Sequence, residues 1–489
     1  MKHKLWTLSL FAILVACVPP LSSSSEMSVP SLEQSLPSLS SEEIEDESLW
    51  IDLFNLNDFH GALAYNPNND EIGITRLASY LNTQKDANEN SVLLSSGDMW
   101  QGSADSNITR GRLTVDAMNL LEFEAMAIGN HEFDWTDTVI EDNAGRSDFP
   151  LLGINIMDKR TGLRAGFAQP YTMIQRSGLR IGIIGTIGPS LESSILQSAV
   201  QHYDFVPYGN LVKEASQFLK EQGAKLIVLL NHDGSVNPEV MPYVDVVFNG
   251  HTHRYDVSTV QGKPVFQALS NGRAVAHARF YYDTASDLMT YMPSMSGVYT
   301  FDTLYEQGMI SEEDEVMKTL YQTYLDDEIN VIKNEVLGTA DGNFSTSQLG
   351  RLAVETMLTY GLSVDEDVVA SFHNSGGVRA PIASGEVTYG DLYKSFPFDN
   401  ELIIAEVTGS ELQWWMSQNL LMRTIPNLGT PVASRTYKII SINYLTEKHW
   451  AAASDYPHNE NTINNTFEYV RELLRERWLE DATIRSSDY

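Results

Sequence analysis

The sequence contains a single cysteine and few basic residues, and both shortages restrict what the protein can be. Because a disulfide needs two cysteines, none can form within this chain of 489 residues. Lysine and arginine total 32 against 65 aspartates and glutamates, which gives a formal net charge of -33 at pH 7. A surface with this charge repels nucleic-acid phosphates, so we expect no nucleic-acid binding. With 43% hydrophobic residues, the chain is long enough to bury at least two separate cores.

Long hydrophobic runs are also missing, apart from one near the N-terminus. Residues 5–16 form an apolar stretch after two lysines, too short to span a bilayer comfortably but typical of a secretory signal. The stretch ends in Leu-Val-Ala-Cys at Cys17, which resembles the lipobox of bacterial lipoproteins. The resemblance implies removal of residues 1–16 as a signal peptide and a lipid on Cys17; the alternative is an unmodified thiol in an ordinary signal peptide.

The segment that follows, residues 17–48, is rich in Ser, Pro and Glu and predicts a disordered tether. Together with the lipid on Cys17, it leads us to expect an exported protein that is anchored to the bacterial cell envelope, at the outer membrane. The membrane contact would then be made through the lipid, and we expect the protein to be a monomer.

From residue 50 on, short apolar runs alternate with segments of helical periodicity. Strands are predicted near residues 50–56, 91–96, 124–129, 149–155, 179–186, 225–231 and 244–249, and helices near 74–85, 113–121 and 210–222. This order predicts an α/β fold with layered packing. A helix with acidic residues in its first turn is predicted over residues 311–335, and a smaller α/β pattern follows it. We therefore expect domains over 49–310 and 338–489, joined by a linker helix within 311–337.

Five of the predicted strands end beside residues that can bind a metal ion or carry a proton. In chain order these residues are Asp58, His60, Asp98, Asn130, His131, Asp134, His232, His251 and His253. Side chains just past the carboxyl ends of strands converge on one crevice in an open α/β sheet, so we expect them to meet. Carboxylates, imidazoles and an amide oxygen together suit Mn, Zn, Co or Fe. We predict two divalent metal ions about 3.5–4 Å apart, with Asp98 as the candidate bridge.

Each of these motifs is weak alone, but the set resembles the calcineurin-like metallophosphoesterases. The resemblance implies a four-layered α/β/β/α sandwich. It also implies that Asp58, His60, Asp98 and His253 hold one metal and that Asp98, Asn130, His232 and His251 hold the other. His131 would bind no metal. Instead it would donate a proton or hydrogen bond to the phosphoryl oxygen or the leaving group, and Asp134 would orient its ring.

The second domain carries two further motifs, Asn-Ser-Gly-Gly-Val-Arg from Asn374 to Arg379 and Phe-Pro-Phe-Asp-Asn over residues 396–400. They resemble the C-terminal domain of the two-domain 5'-nucleotidases, and the resemblance covers residues 49–450. It implies a nucleotide or another small phosphoester as substrate. Candidate substrate contacts are Asn374, Gly377, Arg379 and Phe398. Plain core packing of Phe398 and a surface ion pair of Arg379 are the alternatives.

One segment departs from that family. Where the family has Asn-Asp-Phe-Leu-x-x-Gly-Gly-Asp, this chain reads SINYLTEKHW over residues 441–450. Tyr444 is the candidate second stacking aromatic, and Trp450 stands near the place of the acid. The arginine that the family has before a Leu-Gly pair is also absent from residues 344–350, which read FSTSQLG, and Arg351 is the candidate to replace it. The hydrolytic half of the site is therefore complete by this reading, and the recognition half is altered.

We expect a dinuclear-metal phosphohydrolase that releases phosphate from nucleotides. The altered recognition segment leaves nucleotide-sugar diphosphatase and cyclic-nucleotide phosphodiesterase activity open. A non-catalytic surface binding lipoprotein is a third alternative. The pair of His131 and Asp134 argues against this third alternative, because a binding protein does not need a proton donor there.

Overall fold

The computed structural model describes residues 36–37, 48–195, 197–446 and 463–489. The predicted signal peptide, Cys17 and Trp450 lie outside the described residues, as does nearly all of the predicted tether. Among the described helices, none combines the length and the apolar character that a membrane crossing requires.

Two β-sheets form the centre of the N-terminal domain. The first has the strand order Leu288–Tyr291, Ala274–Asp283, Ser48–Leu56, Ser91–Ser95, Phe123–Ala127 and Leu151–Leu152, with Gly297–Thr300 also paired to Ala274–Asp283. The second has the order Tyr255–Val260, Lys263–Ala268, Val246–Asn249, Ala224–His232, Leu179–Ile187 and Tyr171–Arg176. The predicted metal ligands follow strands in the middle of both sheets. These strands run parallel to one another within each sheet, so their carboxyl ends, and the ligands after them, lie at one edge of that sheet.

The two sheets pack face to face, and helices cover their outer faces. Leu53 of the first sheet lies with Ile183 and Val228 of the second in one fully buried apolar cluster. Alternate residues point outward, so Ile227 packs instead against the second sheet's helix. Helices on the first sheet's side are Ile74–Ala87, Ala104–Ile108, Arg112–Leu120, Asp137–Arg146 and Phe301–Glu306, and Gly209–Glu221 covers the second sheet. The predicted four-layered α/β/β/α sandwich is confirmed.

The strands differ from the predictions in several places. The strand predicted at 149–155 is reduced to Leu151–Leu152. Strand Tyr171–Arg176, the strands from Tyr255 to Thr300 and the short strands between residues 156 and 205 outside 171–187 were not predicted. In strand Ala274–Asp283 the apolar pattern is interrupted by His277 and Arg279. Both donate hydrogen bonds of 2.6 Å to buried Asp52, so these polar residues have a partner inside the domain. Burial raises the pKa of Asp52, but these hydrogen bonds outweigh it and hold the pKa well below its usual range.

Shorter elements complete the N-terminal domain. A three-stranded sheet contains Leu163–Arg164, Ile156–Asp158 and Tyr203–Phe205, and one more helical turn spans Gln197–Val200. The 3-10 turns among the described residues of this domain are Pro67–Asn69, His131–Trp135, Pro189–Ser194, Met241–Tyr243 and Pro293–Met295.

The connecting segment is helical, with an irregular middle. It consists of α-helix Glu315–Tyr324, a π-helical stretch Leu325–Ile329 and a final turn Asn330–Lys333. Asp314 caps the start, since its carboxylate accepts a hydrogen bond of 2.8 Å from the Met317 backbone N–H. The segment packs on the N-terminal domain through an ion pair of 2.6 Å between Glu328 and Arg112.

The C-terminal domain has its own core and two sheets. The larger has the strand order Leu420–Thr424, Val368–Asn374, Thr436–Ile442, Glu401–Thr408 and Ile463–Tyr469. The smaller contains Gly385–Thr388, Val336–Asp341 and Thr483–Arg485. The longer described helices here are Thr346–Val364, Tyr389–Ser395, Gly409–Ser417 and Val470–Asp481, and residues 443–446 are also helical. Two 3-10 turns span Ser375–Gly377 and Ser486–Asp488. Their apolar faces form one cluster that includes Phe372, Trp415 and Trp478.

Candidate active site

The predicted metal ligands gather at one edge of the N-terminal domain, where strands of both sheets end. Five of them adopt the left-handed backbone conformation that non-glycine residues rarely take. They are Asp58 (φ 50°), His60 (φ 50°), Asp98 (φ 56°), His251 (φ 77°) and His253 (φ 54°). Such strain persists only where the surrounding structure imposes it, and it is common at functional sites.

Asp58, His60 and His253 form the first group of candidate ligands. Their ligand atoms lie within 4.8 Å of one another. The His253 Nε2 atom lies 3.1 Å from His60 Nε2 and 3.4 Å from Asp58 Oδ1. The other ring nitrogen of His60, Nδ1, lies 2.8 Å from the Gln101 carbonyl oxygen. Since that carbonyl can only accept, Nδ1 carries the proton, and the Nε2 lone pair of a neutral His60 faces the group.

Asp98, His232 and His251 form the second group, joined by Asn130. The Asn130 amide oxygen lies 2.9 Å from His251 Nδ1 and 3.2 Å from His232 Nε2. Asp98 Oδ2 is 3.1 Å from His232 Nε2. The Nδ1 atom of His232 donates to the Ser96 carbonyl at 2.6 Å, so its Nε2 also presents a lone pair when the ring is neutral.

When the rings are neutral, electron pairs therefore face one another in both groups. The Asp98 Oδ2 atom is fully buried, and His232 Nε2, 3.1 Å away, offers it no hydrogen bond in that state. Buried acceptors without a donor are costly, whereas a cation between them satisfies all of them at once. Imidazole, carboxylate and amide donors at this spacing fit divalent metal ions.

The charges in this site shift the pKa values of its groups. Burial lowers the pKa of His60 to about 4, which keeps that ring neutral and able to act as a ligand. Burial also lowers the pKa of His232, but the Asp98 carboxylate outweighs it and raises that pKa to about 9. For Asp98 itself, burial raises the pKa, and the adjoining His232 and His131 more than offset it, so the pKa lies well below its usual range.

His131 and Asp134 lie together on the 3-10 turn that follows Asn130. The His131 Nδ1 atom is 2.7 Å from Asp134 Oδ2, and the His131 backbone N–H donates to Asp98 Oδ1 at 2.8 Å. Burial lowers the pKa of His131, but Asp134 and Asp98 outweigh it and raise the pKa to about 10. Because Asp134 occupies Nδ1, the Nε2 atom is the ring nitrogen that can act on a ligand.

Glu132 supports the site and was not predicted from the sequence. Its buried carboxylate accepts hydrogen bonds from the backbone N–H groups of Asp98 at 2.9 Å, Met99 at 2.8 Å and Gly129 at 2.7 Å. Burial and the Asp98 carboxylate raise the pKa of Glu132 to about 7. Glu132 thus fixes two of the loops that carry candidate ligands. The only signal of this role in the sequence is its position directly after His131.

A cleft of about 320 Å³ opens beside these groups, and both domains line it. From the N-terminal domain it is lined by Gln101, Asn130, His131, Asp134, Trp135, Ser194 and His251, and from the C-terminal domain by Asn374, Gly376, Arg379, Phe398, Asp399, Asn400 and Tyr444. Four of the predicted substrate contacts are in this set. Gln101, Trp135 and Ser194 were not predicted, because nothing in their local sequence indicates a domain interface. Gly376, Asp399 and Asn400 lie in the two motifs of the second domain but were not predicted as contacts.

Two predicted residues lie elsewhere. Gly377 lies behind the lining, where an added Cβ would come within 2.7 Å of His373 and 2.8 Å of Asn374, so the position has room only for glycine. Arg351 is not among the described residues that line the cleft. Its guanidinium donates to the Tyr489 carbonyl and to Ser347 Oγ at 2.9 Å, which ties the helix to the C-terminal residue.

Phe398 links the two halves of the cleft. Its ring lies 6.5 Å from the His131 ring, at an interplanar angle of 27°. The Arg379 guanidinium lies 5.1 Å from the centroid of the same ring. An aromatic face and a guanidinium therefore stand directly beside the imidazole of the N-terminal domain, so Phe398 is not simply a core residue.

Two family models match the chain. The calcineurin-like phosphoesterase model matches residues 53–255, a range that contains all the candidate metal ligands. The 5'-nucleotidase C-terminal domain model matches residues 329–446, which include the cleft residues of the second domain. The chain belongs to the two-domain 5'-nucleotidase family. The resemblance inferred from the sequence is confirmed, including the calcineurin-like nature of its first domain.

Individual relatives of this 5'-nucleotidase family member are distant. The solved 5'-nucleotidase precursor of Thermus thermophilus is 20% identical to this chain and superposes with a TM-score of 0.70. The match covers 89% of this chain and 97% of that protein, and it shows the fold. Snake venom 5'-nucleotidase of Naja atra is 25% identical over 378 residues, 70% of this chain and 71% of that protein. Endonuclease YhcR of Bacillus subtilis is 25% identical over 446 residues. These residues are 84% of this chain but 35% of YhcR, so the chain spans about a third of that relative.

Proposed function

We propose that this chain is a dinuclear-metal phosphohydrolase that releases phosphate from nucleotides outside the cytoplasm. One observation carries the proposal: a cleft beside two groups of candidate metal ligands is lined by an imidazole held by a carboxylate, and by an aromatic ring and a guanidinium from a second domain. In this proposal residues 49–310 are the catalytic domain, residues 338–489 bind the organic part of the substrate, and residues 311–337 link them.

Two divalent ions, which we propose to be Mn, Zn, Co or Fe, would be held by the two ligand groups described above, with Asp98 between them. When bound, such ions supply an activated water as nucleophile and neutralise charge on the phosphoryl oxygens. The buried Asp98 Oδ2, which faces His232 Nε2 at 3.1 Å and receives no hydrogen bond from it when that ring is neutral, supports this role for Asp98. The strained backbone at the ligand residues, held by Glu132 and neighbouring loops, would keep the donor atoms in position.

His131 would act on the substrate through Nε2. Asp134 accepts from Nδ1–H, which selects the tautomer and fixes the plane of the ring. The Nε2–H of the protonated ring would then donate to a phosphoryl oxygen or to the leaving-group oxygen. An adjoining carboxylate favours the protonated ring, which is the form that this role requires.

The second domain would hold the rest of the substrate. Phe398 and Tyr444 would contact the base, Arg379 would bind hydroxyl or phosphate oxygens, and Asn374 would contribute an amide. Gly377 would act indirectly, since its missing side chain leaves space for Asn374.

A substrate panel tests the proposal. Purified protein loaded with Mn is assayed for phosphate release from nucleoside monophosphates, nucleoside diphosphates, cyclic nucleotides and nucleotide sugars, with metal content measured in parallel. We expect nucleoside monophosphates to give the highest kcat/KM. Faster turnover of nucleotide sugars or cyclic nucleotides would contradict the substrate assignment, and bound metal without any hydrolysis would favour a binding lipoprotein.

The location outside the cytoplasm is proposed from the lipobox at Cys17. Thiol modification by lipid is expected at this residue alone, because it is the only cysteine. The Cys17→Ser variant should therefore move from the detergent phase to the aqueous phase in detergent partitioning of cell envelopes. A variant that partitions like the wild type would exclude the anchor, and a Ser22→Ala variant serves as the control for a change in the same segment.

A further inference from the structure

The loop that carries Phe398 is held from behind by one buried arginine, Arg471. We call residues 396–400 the Phe398 loop. The Arg471 Nη1 atom donates to the Phe396 carbonyl at 3.0 Å and to the Phe398 carbonyl at 3.5 Å, and Nη2 donates to Asp399 Oδ1 at 2.5 Å. A single guanidinium thus contacts three residues of the five in the loop.

Arg471 is itself fixed in place. It is 4% exposed, and its guanidinium carbon lies 3.6 Å from the centroid of the Tyr393 ring. Its Nε atom donates to the Tyr389 hydroxyl at 3.4 Å. A buried guanidinium is stable only when its donors and its charge are matched, and here the loop carbonyls and Asp399 match them. The arginine and the loop therefore depend on each other.

The same loop also touches the N-terminal domain. The Asn107 amide donates to the Pro397 carbonyl at 2.9 Å, and Arg110 Nη1 lies 3.1 Å from Asp399 Oδ2. One carboxylate oxygen of Asp399 thus pairs with Arg471 of its own domain, and the other pairs with Arg110 of the N-terminal domain. Arg110 is 51% exposed at its side chain, so its pair is screened by solvent, whereas the Arg471 pair is buried. Of the two arginines that pair with Asp399, Arg471 is therefore the stronger support of the loop.

We infer that Arg471 is a positioning residue that sets the selectivity for substrates carrying a base. It acts through Asp399 and the loop carbonyls to hold the Phe398 ring at the cleft, beside His131. Arg471 lies on helix Val470–Asp481, beyond the residues 329–446 that the family model matches. The inference rests on the proposed function, because it assigns a base-contacting role to Phe398.

The Arg471→Lys variant of the full-length, Mn-loaded protein tests this inference. Lysine keeps the charge but cannot reach two carbonyls and a carboxylate in one plane. We expect kcat/KM for AMP to fall about 10-fold, which is the size of effect that the loss of one base-stacking contact causes. The fall should come mainly from a higher KM, because the contact holds the base and not the phosphate. Turnover of ribose 5-phosphate, which has the same phosphate and sugar without the base, should change by less than about 2-fold, because stacking contributes nothing to it.

Two further variants make the result specific. Arg475 is on the same helix and pairs with Glu335 at 2.7 Å, away from the loop, so Arg475→Lys should leave both substrates unaffected. Phe398→Ala removes the ring through which Arg471 acts, so adding Arg471→Lys to it should cause little further loss for AMP. Additive losses in this double variant would overturn the inference.

Equal losses for AMP and ribose 5-phosphate in Arg471→Lys would also overturn it. If that variant does not fold, as judged by its melting temperature and metal content, Asp399→Asn gives the same test from the other side of the ion pair. It should show the same selective loss for AMP, and an unchanged ratio of the two substrates would refute the inference. A wild-type protein that hydrolyses neither substrate would instead contradict the proposed function.

Discussion

The His131→Asn variant is expected to lose turnover by about 10²- to 10⁴-fold while it keeps its bound metal, because general acid–base groups contribute on that order. His131 presents no ligand atom to either candidate group, and Asp134 occupies its Nδ1. Its backbone N–H donates to Asp98 Oδ1 at 2.8 Å, and the substitution preserves that hydrogen bond. The position of the Asp98 carboxylate should therefore not change.

Steady-state phosphate release and metal content by mass spectrometry measure this prediction. His202→Asn is a matched control, because His202 is exposed and lies on the surface turn before strand Tyr203–Phe205. It should retain wild-type turnover. If His131→Asn protein loses its metal together with its activity, His131 is a ligand and the role assigned to it is wrong.

The Asp98→Asn variant should lose metal and activity together, with turnover falling on the order of 10³-fold or more, since a metal ion contributes several kcal/mol to such a reaction. Asp98 is buried and belongs to the second group of candidate ligands. We propose that it is also a ligand of the first ion. Asparagine has nearly the same shape but carries no charge, and one of its two terminal atoms cannot accept. The change therefore removes the charge that binds cations and pairs with His232, while the remaining amide oxygen can still accept from the His131 backbone N–H.

Chelator treatment of the wild type should reproduce the loss, and added Mn or Co should restore activity. Asp116→Asn is the matched control, because Asp116 pairs with Arg146 on the surface helices, at 2.5 Å, away from the cleft. It should bind metal and turn over substrate normally. Full activity in protein shown to be free of metal, or wild-type metal content in Asp98→Asn, would refute the dinuclear mechanism.

Much of the catalytic half could be predicted because its information is local. Each candidate ligand directly follows a short apolar run, and strands Ser48–Leu56, Ser91–Ser95 and Ala224–His232 lie close to their predicted positions. Parallel strands bring such residues to one edge whatever the details of packing. The prediction was weaker where polar residues are buried, as in strand Ala274–Asp283 with its partner Asp52.

The recognition half was harder to predict, because its residues act through distant partners. Arg351 has the residue type that the family suggests and directly follows the Leu-Gly pair instead of preceding it, yet it bonds to the backbone of Tyr489. Arg471 could not be recognised from the sequence, since an arginine in a charged helix usually faces solvent. Its role follows only from the burial of its guanidinium against the Phe398 loop.

The sequence by itself determined the kind of chemistry: the residue types at the strand ends, their order along the chain and the family to which they belong. These depend on composition and short-range pattern. The tertiary structure alone decided which atoms share a site. His60 meets His253 across 193 residues, and Gln101 reaches the Pro397 carbonyl across 296. Such contacts follow from how two sheets and two domains pack, and no local pattern carries that information.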